Sequence, residues 1–194
     1  MTRACHNKSR KTKTMKRSLV ILFCALASLS AQAQNIFISK SASISFFAST
    51  PAEDVEAKSD KANSVIDTKT RNLIFKVSNT SFEFPKKLMQ EHFNENYMES
   101  DKYPVSTFKG KITDAVDLTK DGTYNVTIDG SLDIHGVVKN YQTKATLVVS
   151  KGTINAKTEF KVKVADHQIK IPTIVFAKIA QVVDVHISAV YQPK

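Results

Sequence analysis

The chain has 194 residues, 42% of them hydrophobic, with 28 basic and 18 acidic side chains and a formal charge of +10. That length suits one domain with a sizeable core. Seven of the basic residues and both cysteines lie before Gln34, with no acidic residue among them, so the rest of the chain carries only +3. That balance gives no ground for a nucleic-acid surface, and it leaves no disulfide, thiolate nucleophile or cysteine metal ligand.

Residues 15–33 read MKRSLVILFCALASLSAQA. Lys16 and Arg17 form a positive start, 19–29 an apolar run too short to span a bilayer, and Ala31-Gln-Ala33 a small-x-small cleavage site. A short membrane anchor or a buried helix are the alternatives, but the order of charge, apolar run and small residues favours a cleavable signal peptide. Cys24 follows the bulky Phe23 inside the apolar run, which argues against lipidation. The signal is already complete from Met15, which makes Met15 a better start than Met1, so residues 1–14 need not be translated. The expected organisation is an N-terminal extension and signal peptide over 1–33 and one domain over 34–194, periplasmic or secreted, with no transmembrane segment after cleavage.

In the mature part, 36–47, 62–67 and 73–77 read as weaker strands. After Pro85, suited to a first helical turn, Leu88, Met89, His92 and Phe93 recur at helical spacing up to about Met98. Glu91, Glu95 and Glu99 then share one face of that helix, with Lys87 four residues before Glu91. Three carboxylates could hold a hard cation or serve as acid and base, but a solvent-facing stripe is the better reading. Leu88, Met89 and Phe93 would close one end of the fold.

A strand is expected over 108–118, followed by the clearest one, 124–134. There Tyr124, Val126, Ile128, Gly130, Leu132 and Ile134 alternate with polar residues, giving one apolar and one wet face. Further strands are read at 137–149, 154–164, 168–171 and 183–191, with a helical turn after Pro172. The inward sets include Ile154, Ala156, Thr158, Phe160, Val162 and Val164, and Val183, Val185, Ile187, Ala189 and Tyr191. Lys120-Asp121-Gly122, His135-Gly136 and Lys151-Gly152 supply the turns. About eight strands with one apolar face each and a single short helix must bury that face against itself. The fold class is all-β, an antiparallel barrel or sandwich.

Ser81-Phe82-Glu83-Phe84, Met89-Gln90-Glu91-His92-Phe93, Tyr103-Pro104, Phe108 and Gly110 come in an order that resembles the YceI-like family of bacterial periplasmic proteins. Gly130-Ser131-Leu132-Asp133-Ile134-His135-Gly136 is similar to that family's hairpin. The resemblance implies a lipocalin-like β-barrel, often a homodimer, that holds a polyisoprenoid or quinone-like lipid in an apolar tunnel and has no catalytic residues to carry over. Two features depart from the family: a short segment between Phe47 and Asp67, and Asn140 where a proline is usual.

The candidate tunnel lining is Phe75, Phe82, Phe84, Phe108, Tyr124, Val126, Ile128, Leu132, Ala156, Phe160, Val162 and Ile187. The competing reading is a solidly packed barrel acting as a structural or interaction module. His92, His135, His167 and His186 have no metal-ligand spacing, so no metal and no cofactor other than the bound lipid is expected. His135 in its turn suits a structural hydrogen bond, and His186 beside Asp184 a solvated face. No glycine-x-serine-x-glycine elbow or phosphate-cradling glycine loop is present, so an enzyme, such as a small hydrolase or isomerase using His92 and the glutamates, is the weaker class. Exported protein should begin at or near Gln34 and titrate no thiol. N-terminal sequencing checks this, and Met15 retained on exported material would contradict it.

Overall fold

The computed structural model describes residues 35–49, 54–170 and 181–194. Within the compact unit Asn35–Lys194, eight antiparallel strands follow one another in chain order: β1 (Ile36–Ala48), β2 (Val55–Asp67), β3 (Asn72–Ser78), β4 (Val105–Ile112), β5 (Gly122–Ile134), β6 (Val137–Ser150), β7 (Thr153–Lys163) and β8 (Val182–Pro193). Each pairs with the next and β8 pairs with β1, closing a barrel. One short helix, α1 (Lys87–His92), continues into a π-turn over Phe93–Tyr97 in the β3–β4 connection.

The two ends of the interior differ. At one end Ile66, Ile112, Leu118, Leu147 and Ile154 are fully buried and pack with Phe37, Leu73, Val126, Val149 and Tyr191 into the core of the barrel. Leu118 is the plug: the loop after β4 folds across the barrel end and seats it inside. For this reason the strand expected over 108–118 stops at Ile112; it starts earlier, at Val105, where it pairs with Ser78 of β3. Beyond it the Asp114 carboxylate accepts the Thr127 N–H, and Thr113 N–H reaches the Thr127 carbonyl at 3.0 Å.

Other departures have local causes. β2 is twice the expected length because its inward residues are Ala57, Ser59, Ala62 and Ser64, small side chains that leave no apolar alternation to read. A bulge between the Ala42↔Ala62 and Ile44↔Ser59 pairs shifts its register. Where 168–171 was expected to be a strand, Val164–His167 forms a 3₁₀ turn capped by Gln168 at φ 55°, and Ile171 lies outside the described residues. The signal peptide and the turn after Pro172 also lie outside them.

The buried polar groups are matched. The Ser64 hydroxyl donates to the Ile74 carbonyl at 2.9 Å, so it receives the Tyr191 hydroxyl at 2.7 Å. Burial holds the Tyr191 phenol above the ordinary tyrosine value. The unfolded chain therefore releases this proton first as pH rises, and the stability Tyr191 contributes is complete below about pH 10 and falls above it. Tyr191→Phe should cost about 1 kcal/mol at neutral pH and flatten the alkaline decline, read from denaturation midpoints across pH.

Candidate functional site

The other end of the barrel is hollow. A cavity of about 510 Å³ lies among the end of β1, the β3–β4 connection with α1, the end of β5, and the adjoining parts of β7 and β8. Its lining is almost wholly apolar, with Asn79, His92, Ser106 and Thr107 as polar exceptions. A second cavity of about 60 Å³ lies deeper, toward the packed end.

The residues singled out from the sequence divide between these regions. Phe82, Phe84, Leu132 and Val162 line the large cavity; Phe75, Phe108, Phe160 and Ile187 line both; Ile128 and Ala156 line the deep one. Tyr124 and Val126 line neither and belong to the packed end, where the Tyr124 hydroxyl donates to the Lys120 carbonyl at 3.0 Å.

The mouth is built on four phenylalanines. Phe46 and Phe93 stack on each other with ring centroids 5.6 Å apart, and each lies within 5.0–5.8 Å of both Phe82 and Phe84. Phe82 and Phe84 reach this place because Glu83 between them exchanges two backbone hydrogen bonds with Lys58, covering an edge of β2 that the short β3 leaves unpaired. Asn79, fully buried, fixes the start of that segment. Its amide donates to the Tyr103 carbonyl at 2.6 Å and its side-chain oxygen accepts from Ser106 at 2.8 Å.

The helix departs from its expected form at Phe93. The π-turn, closed by Met98 N–H to the Phe93 carbonyl at 2.8 Å, sets Phe93, Tyr97 and Met98 together against the cavity. Tyr97 holds its proton more tightly than usual because it is desolvated there. Met89 and Phe93 face inward as expected, whereas Leu88 is 62% exposed and closes nothing.

The glutamate stripe breaks as well. Glu91 meets Lys87 at 3.9 Å in an exposed pair of small energetic weight. Glu99 lies beyond the π-turn at φ 43° and approaches His135 Nε2 at 2.6 Å. His135 is thereby the structural hydrogen-bonding residue expected of it, with Tyr103 packed on its ring at 4.5 Å. His186 lies 3.5 Å from Glu159 on the outer surface, and His167 is fully buried, donating through Nδ1 to the Val137 carbonyl and meeting Tyr141 through Nε2. Among the described residues no three His, Cys, Asp or Glu side chains gather as a metal site.

Sequence reasoning missed Ile44 and Phe46 of β1, Asn79, and Tyr97 and Met98. The first pair carried a signal, since they alternate in an expected strand; the others depend on the π-turn and on a buried network that periodicity does not show.

With this geometry in view, the comparisons are consistent. The YceI-like domain model matches residues 31–191. The chain belongs to the YceI-like family. Solved structures similar to this YceI-like domain include a polyisoprenoid binding domain from Saccharophagus degradans implicated in plant cell wall breakdown, with TM-score 0.70 and 17% identity over 83% of this chain and 99% of that one. Burkholderia cenocepacia BcnA follows at TM-score 0.64 and 16% identity, covering 77% and 95%. A Campylobacter jejuni YCEI protein has TM-score 0.56 and 20% identity, covering 73% and 86%. These likenesses establish a shared fold. No curated protein matches the sequence.

The Glu99–His135 contact ties the β3–β4 connection to the β5–β6 turn at the hollow end. Glu99→Ala and His135→Asn, the latter chosen because asparagine tolerates the left-handed backbone at φ 55°, should each lower stability by about 1 kcal/mol. The double variant should lose little more than the worse single one, and full additivity in the denaturation midpoints would mean the two are uncoupled.

Proposed function

We propose that this YceI-like domain is an exported binding protein that sequesters or carries a polyisoprenoid or similar long-chain lipid, a quinone among the candidates, and catalyses no reaction of its own. The observation that carries the reading is the apolar cavity of about 510 Å³ inside one half of a closed barrel. Each methylene that leaves water for such a lining contributes about 0.8 kcal/mol before ordering costs. A long tail therefore needs no specific polar contact.

The similar Saccharophagus degradans structure is that of a polyisoprenoid binding domain, which supports the same ligand class. The signal-peptide pattern read over 15–33 supports an exported setting, and among the described residues no helix is long and apolar enough to cross a membrane. The packed-module alternative accounts for the Leu118 end alone. For the hydrolase or isomerase alternative, the side chains stand apart: His92 borders the cavity, Glu91 and Glu95 face solvent, and Glu99 is engaged by His135.

Organic extraction of protein purified under native conditions, followed by mass spectrometry, should recover a long-chain lipid at near-stoichiometric yield. An empty extract, together with failure of the protein to take up a polyprenol from detergent micelles, would overturn the proposal.

A further inference from the structure

The large and the deep cavity meet at a collar of four side chains, Phe75, Phe108, Phe160 and Ile187, which line both. Phe108 differs from the other three in what lies beneath it. On β4 and β5, Gly110 and Gly130 are direct cross-strand partners, next to the Phe108↔Leu132 pair on one side and the Ile112↔Ile128 pair on the other. Phe108, Gly110 and Ile112 alternate along β4 on its inward face, as Ile128, Gly130 and Leu132 do along β5.

Neither Gly110 nor Gly130 has a positive φ, so backbone freedom does not explain them. Space does. A Cβ on Gly110 would stand 2.6 Å from Phe108 Cε1, and one on Gly130 would stand 2.5 Å from Phe108 Cζ. The distal edge of the phenyl ring, Cε1 and Cζ, rests on the glycine pair in the volume that two Cβ atoms would otherwise occupy. It thereby spans the boundary between the hollow end and the deep cavity.

We infer that Phe108, bedded on Gly110 and Gly130, is the floor of the binding cavity and sets the length of apolar chain the barrel accepts. The inference rests on the lipid-binding reading above and adds a determinant of specificity to it. With the ring down, the tail of a bound chain stops at the collar. The space of about 60 Å³ beyond it, bordered by Ile128, Ala156 and Tyr141, stays separate.

The two glycines make different tests. A methyl at Gly130 would also meet the Lys109 carbonyl oxygen at 2.5 Å and Gly110 Cα at 2.7 Å, backbone atoms that cannot step aside, so that substitution threatens the fold. At Gly110 the nearest atoms all belong to side chains, those of Phe108 and Ile128. Gly110→Ala therefore lifts the ring toward the barrel axis, into the large cavity. Phe108→Ala does the reverse and joins the two cavities.

The experiment offers delipidated protein an equimolar series of all-trans polyprenols of graded length and reads the bound length distribution by mass spectrometry after extraction. Phe108→Ala should shift the distribution to longer chains, with a gain of about fourfold in affinity for each further methylene housed. Gly110→Ala should shift it to shorter ones. Phe84→Ala, at the large cavity only, should weaken uptake at every length and leave the limit where it is. Should Phe108→Ala fail to fold, Phe108→Leu carries the same expectation with a smaller shift. Folded Phe108 variants with the wild-type distribution would overturn the floor while leaving the lipid-binding reading intact. No uptake of any polyprenol by the wild-type protein would overturn both.

Discussion

Hydrogen bonding between β8 and β1 closes the sheet, and the rest of the molecule follows from that closure. Closure gives every strand a neighbour on both sides, and the diameter is set by strand number and stagger. The interior therefore has a fixed width whatever fills it. At one end Leu118 enters from the β4–β5 loop, and apolar side chains fill the width except for a space of about 60 Å³. At the other end no such plug is present among the described residues, and the wall of backbone hydrogen bonds keeps the side chains from collapsing onto one another. Packed core and open interior, which compete as explanations when read from the sequence, occupy opposite halves of one barrel.

The motifs that carry the family resemblance have local physical reasons that converge on the hollow half. Glu83 pairs through its backbone with Lys58 and so turns Phe82 and Phe84 inward. Gly130 makes room for the Phe108 ring, and Leu132 and Ile134 face the cavity. His135 takes a left-handed conformation and holds Glu99. Gly136, at φ 73°, lies under Tyr103, whose ring stands 2.6 Å from where a Cβ would be. Together these residues shape a space and tie together the loops around it.

Strand 124–134 and its neighbours were legible because bulky apolar residues alternate there with polar ones, and that alternation is the direct image of a pleated strand with one dry face. β2 was only partly legible, since Ala57, Ser59, Ala62 and Ser64 are buried without being bulky. The helix was legible as far as Phe93. Past it, the change from α to π hydrogen bonding removed Glu99 from the expected carboxylate face and delivered Tyr97 and Met98 to the cavity. Among the candidate lining residues, inward orientation was readable throughout, but depth was not. Tyr124 and Leu132 lie on the same face of β5, yet one belongs to the packed end and the other to the cavity.

The sequence by itself determined the class of fold, the sidedness of most strands and the absence of cysteine from the chain after Gln34, because each depends on residue type and near-neighbour spacing. Tertiary structure alone decided where the interior is filled and where it is empty. That distinction rests on which loop supplies a plug, on how closely a ring can rest on two glycines paired across strands, and on a backbone bridge between Lys58 and Glu83, twenty-five positions apart. Each of these joins residues distant in sequence, and alternation along a strand reports the direction of a side chain without saying what it meets.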